Sequence, residues 1–166
     1  MTKKVLLHTH IEGSLNRKTL SELSKRNKVK FPFDINTIDF RSIINKNDWN
    51  TFRKIFYTIC DCFQSETDYY TALLDYGLSL KEKNVIYAEV NFSPWRHISR
   101  NINLDTIYRG FEKAIIELQK NHNTTIRLLC DFVRNPNEDI DVILDLKPAK
   151  ACAGKAWSIC FCIGAH

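Results

Sequence analysis

Apolar residues along the chain alternate between short continuous runs and stripes at helical spacing. Val5 to His8 is a brief aliphatic run that ends in polar residues, a strand whose carboxyl end carries His8-Thr9-His10. Gly13-Ser14 breaks it. Asn16 caps a helix from Arg17 to about Asn27, with Leu20 and Leu23 on one face. Pro32 and the Asp- and Asn-rich stretch after it read as loop with one helical turn. Asp48 caps a helix to about Phe63, along which Phe52, Ile55, Phe56, Ile59 and Phe63 recur at steps of three and four. Ser65 opens the next helix, with Asp68 placed for a capping box. Leu73, Leu74, Leu78 and Leu80 carry it to about Lys83. Val85 to Phe92 (VIYAEVNF) is the clearest strand and stops at Ser93-Pro94. Asp105 caps a helix to about Lys120, and Thr125 to Val133 (TIRLLCDFV) is a third strand, stopped by Asn135-Pro136. A helix from about Asn137 reaches Leu146, Pro148 ends it, and Trp157 to Ile163 completes the series as a fourth strand. Strands separated by helices in this order predict parallel β/α units with right-handed crossovers.

Composition narrows the class. A chain of 166 residues, 44% hydrophobic and 26% charged with 5 Gly and 4 Pro, is sized for one packed domain and excludes a largely disordered or collagen-like one. No apolar run approaches the roughly 18 residues of a membrane span, and Val5-Leu6-Leu7 is too short for a secretory core. The expectation is a cytoplasmic protein with no membrane partner. The net charge of +5 is mild, and basic residues alternate with acids, as in Lys81-Glu82-Lys83. No nucleic-acid partner is expected from that pattern. Six cysteines stand at 60, 62, 130, 152, 160 and 162 without a CxxC, so they read as free thiols rather than disulfides or a zinc knuckle. Cys60 and Cys62, two apart on one helix, do not face each other.

The last twenty residues use a different vocabulary. They hold five of the eight alanines and three of the six cysteines, but no acidic residue and no asparagine. Residues 1–146 and 147–166 therefore read as two regions. The second is either an Ala/Cys-rich remnant of a fourth strand or a frame-shifted tail, and the frame shift is the favoured reading.

The candidate chemistry begins at the first strand. Side chains at i and i+2 of a strand share a face, so His8 and His10 can reach one ion, a chelating pair for zinc or another borderline metal. Two polar histidines in a turn remain the alternative. Their position favours the metal, because active sites of β/α folds gather at the carboxyl ends of strands. Glu12 adds a carboxylate, and Gly13 a residue able to turn tightly beside the ion.

The stretch His8-Thr9-His10-Ile11-Glu12-Gly13-Ser14 resembles the opening motif of the adenosine deaminase family, zinc-dependent amidohydrolases, H-x-H-[LI]-[DE]-G-[ST]. Tyr87-Ala88-Glu89-Val90-Asn91-Phe92-Ser93-Pro94 is similar to that family's second barrel strand, Y-x-E-V-R-[FY]-S-P. Phe52 to Phe56 and Ser65 to Tyr70 look like its helical insertion over the substrate pocket. The resemblance runs from about Val5 to Leu146. It implies an α/β fold that is part of a (β/α)8 barrel, with three to four parallel strands and an inserted helical segment after the first. It also implies zinc-dependent hydrolytic deamination of a purine nucleoside or nucleobase, with release of ammonia. His8 and His10 are then ligands of one zinc ion, and His10 and Glu12 contact the small-molecule substrate. Adenosine-specific members commonly have Asp at the position of Glu12, and the longer carboxylate is frequent in adenine and modified-nucleoside deaminases. Asn91 stands where arginine is usual.

The family's later groups are absent from the 166 residues: there is no H-A-G-E and no Asp-Asp pair. No catalytic acid or base of that kind is expected within this chain. A full barrel needs roughly 250 residues, so the chain reads as the amino-terminal half of such an enzyme, inactive alone. Exposed barrel edges would then favour self-association. Other H-x-H metallohydrolases, such as phosphoesterases, and a non-catalytic binding module are the competing readings. His97 reads as a solvated loop histidine, Asp131 as a structural carboxylate, and Phe52, Phe56 and Phe63 as core.

Overall fold

A computed structural model describes residues 2–39, 42–43, 48–131 and 157–159. The elements are β1 (Lys4–Leu6), α1 (Arg17–Arg26), α2 (Trp49–Asp61), α3 (Glu66–Glu82), β2 (Val85–Phe92), α4 (Pro94–Ile98), α5 (Leu104–His122), β3 (Thr125–Cys130) and β4 (Trp157–Ile159). The strands form one parallel sheet in the order β1-β2-β3-β4. Neighbours in sequence are neighbours in space, with helices in the β1–β2 and β2–β3 crossovers. This is the α/β partial barrel expected, including the helical segment inserted after the first strand. The helix expected from about Asn137 to Leu146 and most of the tail lie outside the described residues.

Local chemistry accounts for most boundaries. The Asn16 side chain accepts the Thr19 N–H at 2.8 Å and the Asp48 side chain that of Thr51 at 3.0 Å, so α1 and α2 start where their caps sit. At α3, Asp68 Oδ2 accepts both the N–H and the hydroxyl of Ser65 at 2.8 Å. Asn123 (φ 53°) closes α5, and Asn84 (φ 60°) turns the chain from α3 into β2, left-handed positions that asparagine tolerates.

Three expectations change. β1 ends at Leu6 rather than His8, since the chain beyond it leaves the β1–β2 register, pairing again at an isolated His10–Asn91 bridge. The cap of α5 is Asn103, whose side chain accepts the Asp105 N–H at 2.8 Å, leaving Asp105 in the first turn where its charge complements the helix dipole. Ser93-Pro94 starts a short helix rather than a loop, because proline at the first helical position has no N–H to leave unpaired.

The core lies between the sheet and helices α3 and α5. Alternate β3 residues Ile126, Leu128 and Cys130 are buried, and Ile126 and Leu128 share one apolar cluster with Phe111, Leu118 and Val90. The aromatic rings of Phe63, Tyr69, Phe92 and Phe111 pack at centroid distances of 5.0–6.2 Å, mostly edge to face. Asp68 joins three segments to this core. Fully buried, it accepts bonds from Arg26 (2.9 Å) and Asn27 (3.0 Å) at the end of α1, and from Gln64 N–H (3.1 Å) before α3.

Two glycines let α3 and α5 approach, and they are not equivalent. A Cβ on Gly110 would strike the Glu66 carbonyl and lie 2.7 Å from Tyr69 Cβ, whereas the nearest atoms to one on Gly77 belong to the side chain of Leu118. Gly110→Ala is expected to destabilise by about 1–3 kcal/mol in urea unfolding through overpacking against fixed backbone. Gly77→Ala should be closer to neutral, since Leu118 can move and alanine favours the helix. Asp68 sets a pH dependence. Burial raises its pKa, but the bonds it receives outweigh that and leave it below its ordinary value. A depressed native pKa contributes stability that is present above the unfolded value of about 3.9 and lost as pH falls through the native one. Between about pH 5 and pH 2, unfolding stability should fall less steeply in Asp68→Asn than in the unaltered chain.

Candidate metal and substrate site

The residues after β1 are clipped onto the end of β2 by two backbone bonds. Asn91 N–H donates to Thr9 O at 2.6 Å, and Ile11 N–H donates to Asn91 O at 2.9 Å. Ile11, fully buried, anchors the segment from the core side. Ser14 closes the following turn, its N–H donating to Ile11 O (3.1 Å) and its hydroxyl to His10 O (2.6 Å). Gly13 is not needed for that turn as expected: its φ is not positive, and a Cβ there would meet only His10 O at 3.8 Å.

The imidazoles of His8 and His10 lie edge to face with centroids 5.3 Å apart. His8 is exposed and His10 partly so. His10 Nδ1 lies 3.0 Å from Asp131 Oδ2 just beyond β3, and Asn91 Nδ2 donates to Asp131 Oδ1 at 2.6 Å. The carboxylate beside it holds the His10 imidazole above its ordinary pKa, against partial burial that lowers it. With Nδ1 turned to Asp131, Nε2 is the nitrogen left to bind something else. An imidazole backed by a carboxylate is the usual arrangement behind a metal ligand. Asp131 is thus more than the structural carboxylate the sequence suggested.

Glu12 faces a different set of partners. It is 1% exposed, and Oε1 accepts the Ser93 N–H at 2.9 Å, while Oε2 is buried with no hydrogen-bond partner. Glu12 is one of the residues that line a cleft of about 150 Å³ whose other walls include Leu15, Leu20, Phe52, Ile55, Phe56 and Ile59. Of the stripe read as core, Phe63 is fully buried, while Phe52 and Phe56 form the wall of this cleft. Arg17 also borders it, but its guanidinium donates to the carbonyls of Ile35 (2.6 Å) and Ile38 (2.8 Å).

His97 is not a solvated loop residue. It sits on α4, 0% exposed, within the aromatic cluster and with Nε2 3.9 Å from Glu12 Oε1. Cys60 of α2 completes a buried triangle with Glu12 and His97 whose ligand-type atoms lie within 4.8 Å of one another. Sequence spacing could not bring these three groups together. Glu12, Cys60 and His97 are 48 and 37 residues apart along the chain, and only the packing of α2 and α4 joins them. Asp131 did leave a signal, since it follows a strand as the histidine pair does.

A parallel sheet that gathers imidazoles and carboxylates at its carboxyl edge, beside an apolar cleft, defines an α/β-barrel type of site. Residues 3–150 match the model of the adenosine deaminase family, and the chain belongs to that family. It is 30% identical over 137 residues to an adenine deaminase from Psychrobacter cryohalolentis and 32% identical over 136 residues to one from Hahella chejuensis. Each match takes in 82% of this chain, which spans about two fifths of the length of those relatives (41% and 40%). Among solved structures, the adenine deaminase of Arthrobacter aurescens superposes with a TM-score of 0.76 at 22% identity, covering 97% of this chain and 49% of that one. An amidohydrolase from Burkholderia ambifaria with bound zinc gives 0.75 at 15%, covering 99% and 45%. The fold is theirs. Among the described residues no helix is long and apolar enough to cross a membrane.

Replacing Asn91 by alanine removes the amide that donates to buried Asp131. The expected cost is about 1–3 kcal/mol, read as a lower urea midpoint with an unchanged slope.

Proposed function

We propose that this chain carries the zinc-gripping and purine-facing portion of an adenine deaminase, a hydrolase that replaces the amino group of adenine with oxygen and releases ammonia. The observation that carries the reading is the juxtaposition of the paired imidazoles with Glu12, which lines an apolar cleft and whose buried carboxylate keeps one oxygen without a partner. The residues fit a zinc ion. His10 is oriented by Asp131 through Nδ1, and His8 stands beside it at a position open to solvent. His8 and His10 would hold one ion. Bound zinc supplies the Lewis acidity that makes water a nucleophile at neutral pH.

The chain's own residues do the rest. Asp131 fixes the ring of His10. Ile11 and the Asn91 clip hold the segment, so that His10 and Glu12 keep their separation. Glu12, with an unpartnered oxygen, accepts a hydrogen bond from the purine, while Phe52, Ile55 and Phe56 exclude water from its faces. A free nucleobase suits this cleft better than a nucleotide. Its lining includes one cation, Arg17, already bonded to two carbonyls, and the buried carboxylate repels phosphate. An N6-methyl-AMP deaminase from Arabidopsis shares the fold (TM-score 0.64, 21% identity), so the fold alone does not select the substrate.

The chain spans about two fifths of its relatives, and the remaining ligands and the catalytic acid are proposed to come from polypeptide outside these 166 residues. Residues 1–146 would be the barrel portion. The frame-shift reading of residues 147–166 is tested by the downstream coding DNA, which should contain H-A-G-E and an Asp-Asp pair. The outward side of β1, where Val5 is 57% and Leu7 61% exposed, is the surface for the rest of the barrel or for self-association.

Calorimetric titration of the purified chain with Zn2+ should give one site. His8→Ala or His10→Ala should weaken it at least about tenfold, and Asp131→Ala by about 10–100-fold. Equal affinity in all four proteins would remove the zinc assignment. In a polypeptide that carries the complete barrel, adenine should yield hypoxanthine and ammonia, and His8→Ala should abolish turnover. Hydrolysis of phosphate esters in place of adenine would replace the deaminase reading with a phosphoesterase.

A further inference from the structure

Behind the cleft, the Glu12–Cys60–His97 triangle has the ligand types of a second metal centre, but its hydrogen bonds point elsewhere. His97 Nδ1 lies 2.8 Å from Tyr69 Oη and 3.1 Å from Arg100 Nη2. A guanidinium can only donate. Arg100 is also pinned, its Nη2 donating to the carbonyls of Cys60 (2.8 Å) and Phe63 (3.2 Å). Its two Nη2 hydrogens serve three acceptors, one hydrogen being shared. Since a guanidinium offers no lone pair to an N–H, Nδ1 presents its own; the imidazole proton, assigned from these donors, belongs on Nε2. That nitrogen is buried, has no partner, and faces Glu12 Oε1 at 3.9 Å. A nitrogen that carries a proton is not a metal ligand. Burial, the largest influence on each, lowers the pKa of His97 and pushes the Cys60 thiol up, so neither a charged imidazole nor a thiolate is favoured there.

We propose that His97 is a positioning residue for Glu12: neutral, locked by Tyr69 and Arg100 as the Nε2–H tautomer, and aimed at the Glu12 carboxylate, which makes the triangle a hydrogen-bonding support and not a metal site. Ser93 N–H holds Oε1 from one side. A closure of about 1 Å brings Nε2–H to hydrogen-bond length from the other, leaving Oε2 as the oxygen without a protein partner. The effect on ligand binding rests on the proposed contact of Glu12 with the purine; the tautomer and the exclusion of a metal do not.

The test uses the full chain labelled with 15N-histidine. Two-dimensional NMR should show His97 with Nε2 protonated and Nδ1 bare, before and after Zn2+ or Co2+ is added. Glu12→Gln should shift the Nε2–H resonance, and Cys60→Ser should leave the Co2+ absorption spectrum unchanged. A proton on Nδ1, or a thiolate-to-cobalt band lost in Cys60→Ser, would overturn the proposal, as would a His97 N–H signal indifferent to Glu12→Gln. In equilibrium titration with adenine, His97→Leu should weaken binding about tenfold, while His97→Gln, which keeps an N–H, should recover most of it. Equal losses in both would reduce His97 to a packing role. Absence of adenine affinity in the unaltered chain would defeat the purine reading and leave the tautomer result intact.

Discussion

The structure depends on one short piece of parallel pairing, the bridge of His10 to Asn91. β1 is only three residues long and could not by itself place the segment from Leu7 to Ser14. Two backbone bonds at Asn91 do so, and they bring the histidine pair to the ends of β2 and β3. The same residue donates through its side chain to Asp131, so the backbone register and the orientation of His10 are set from one point. The site residues beyond β1 and β3 are therefore tied to the sheet at Asn91, a support that helps to hold ligand geometry closely.

Packing behind the sheet serves the other half of the site. Helices α3 and α5 meet closely at Gly77 and Gly110, which draws Tyr69 against Phe92 and Phe111. Tyr69 in turn reaches His97. Asp68, next to it in α3, is bonded to Arg26 and Asn27 at the end of α1, and Asn27 also donates to the Cys62 carbonyl at the end of α2. Core packing and polar support thus converge on neighbouring residues, and most of the polar groups are hydrogen-bonded where burial would otherwise penalise them.

Much of this was legible in the chain's pattern. The caps at Asn16, Asp48 and Ser65, the strand Val85 to Phe92 and the alternation within Thr125 to Cys130 are local signals, and they produced elements close to the expected bounds. The parallel order followed from them. Non-local and subtle features escaped. The cap of α5 moved from Asp105 to Asn103, since both residue types cap and only the backbone angle decides between them. His97 reads as polar and surface-seeking until Phe63, Tyr69 and Phe92 enclose it. The triangle it shares with Cys60 and Glu12 has no spacing that a linear motif could record.

Ile11 separates two neighbours with different tasks. Its burial fixes the main chain, while His10 answers to Asp131 at the end of β3 and Glu12 answers to Ser93 and α4. The groups proposed to hold the metal and the one proposed to meet a substrate are consequently adjacent in sequence but supported by different partners. On that proposed division, a change of one methylene at position 12 would alter the substrate contact without touching the pairing of His10 with Asp131.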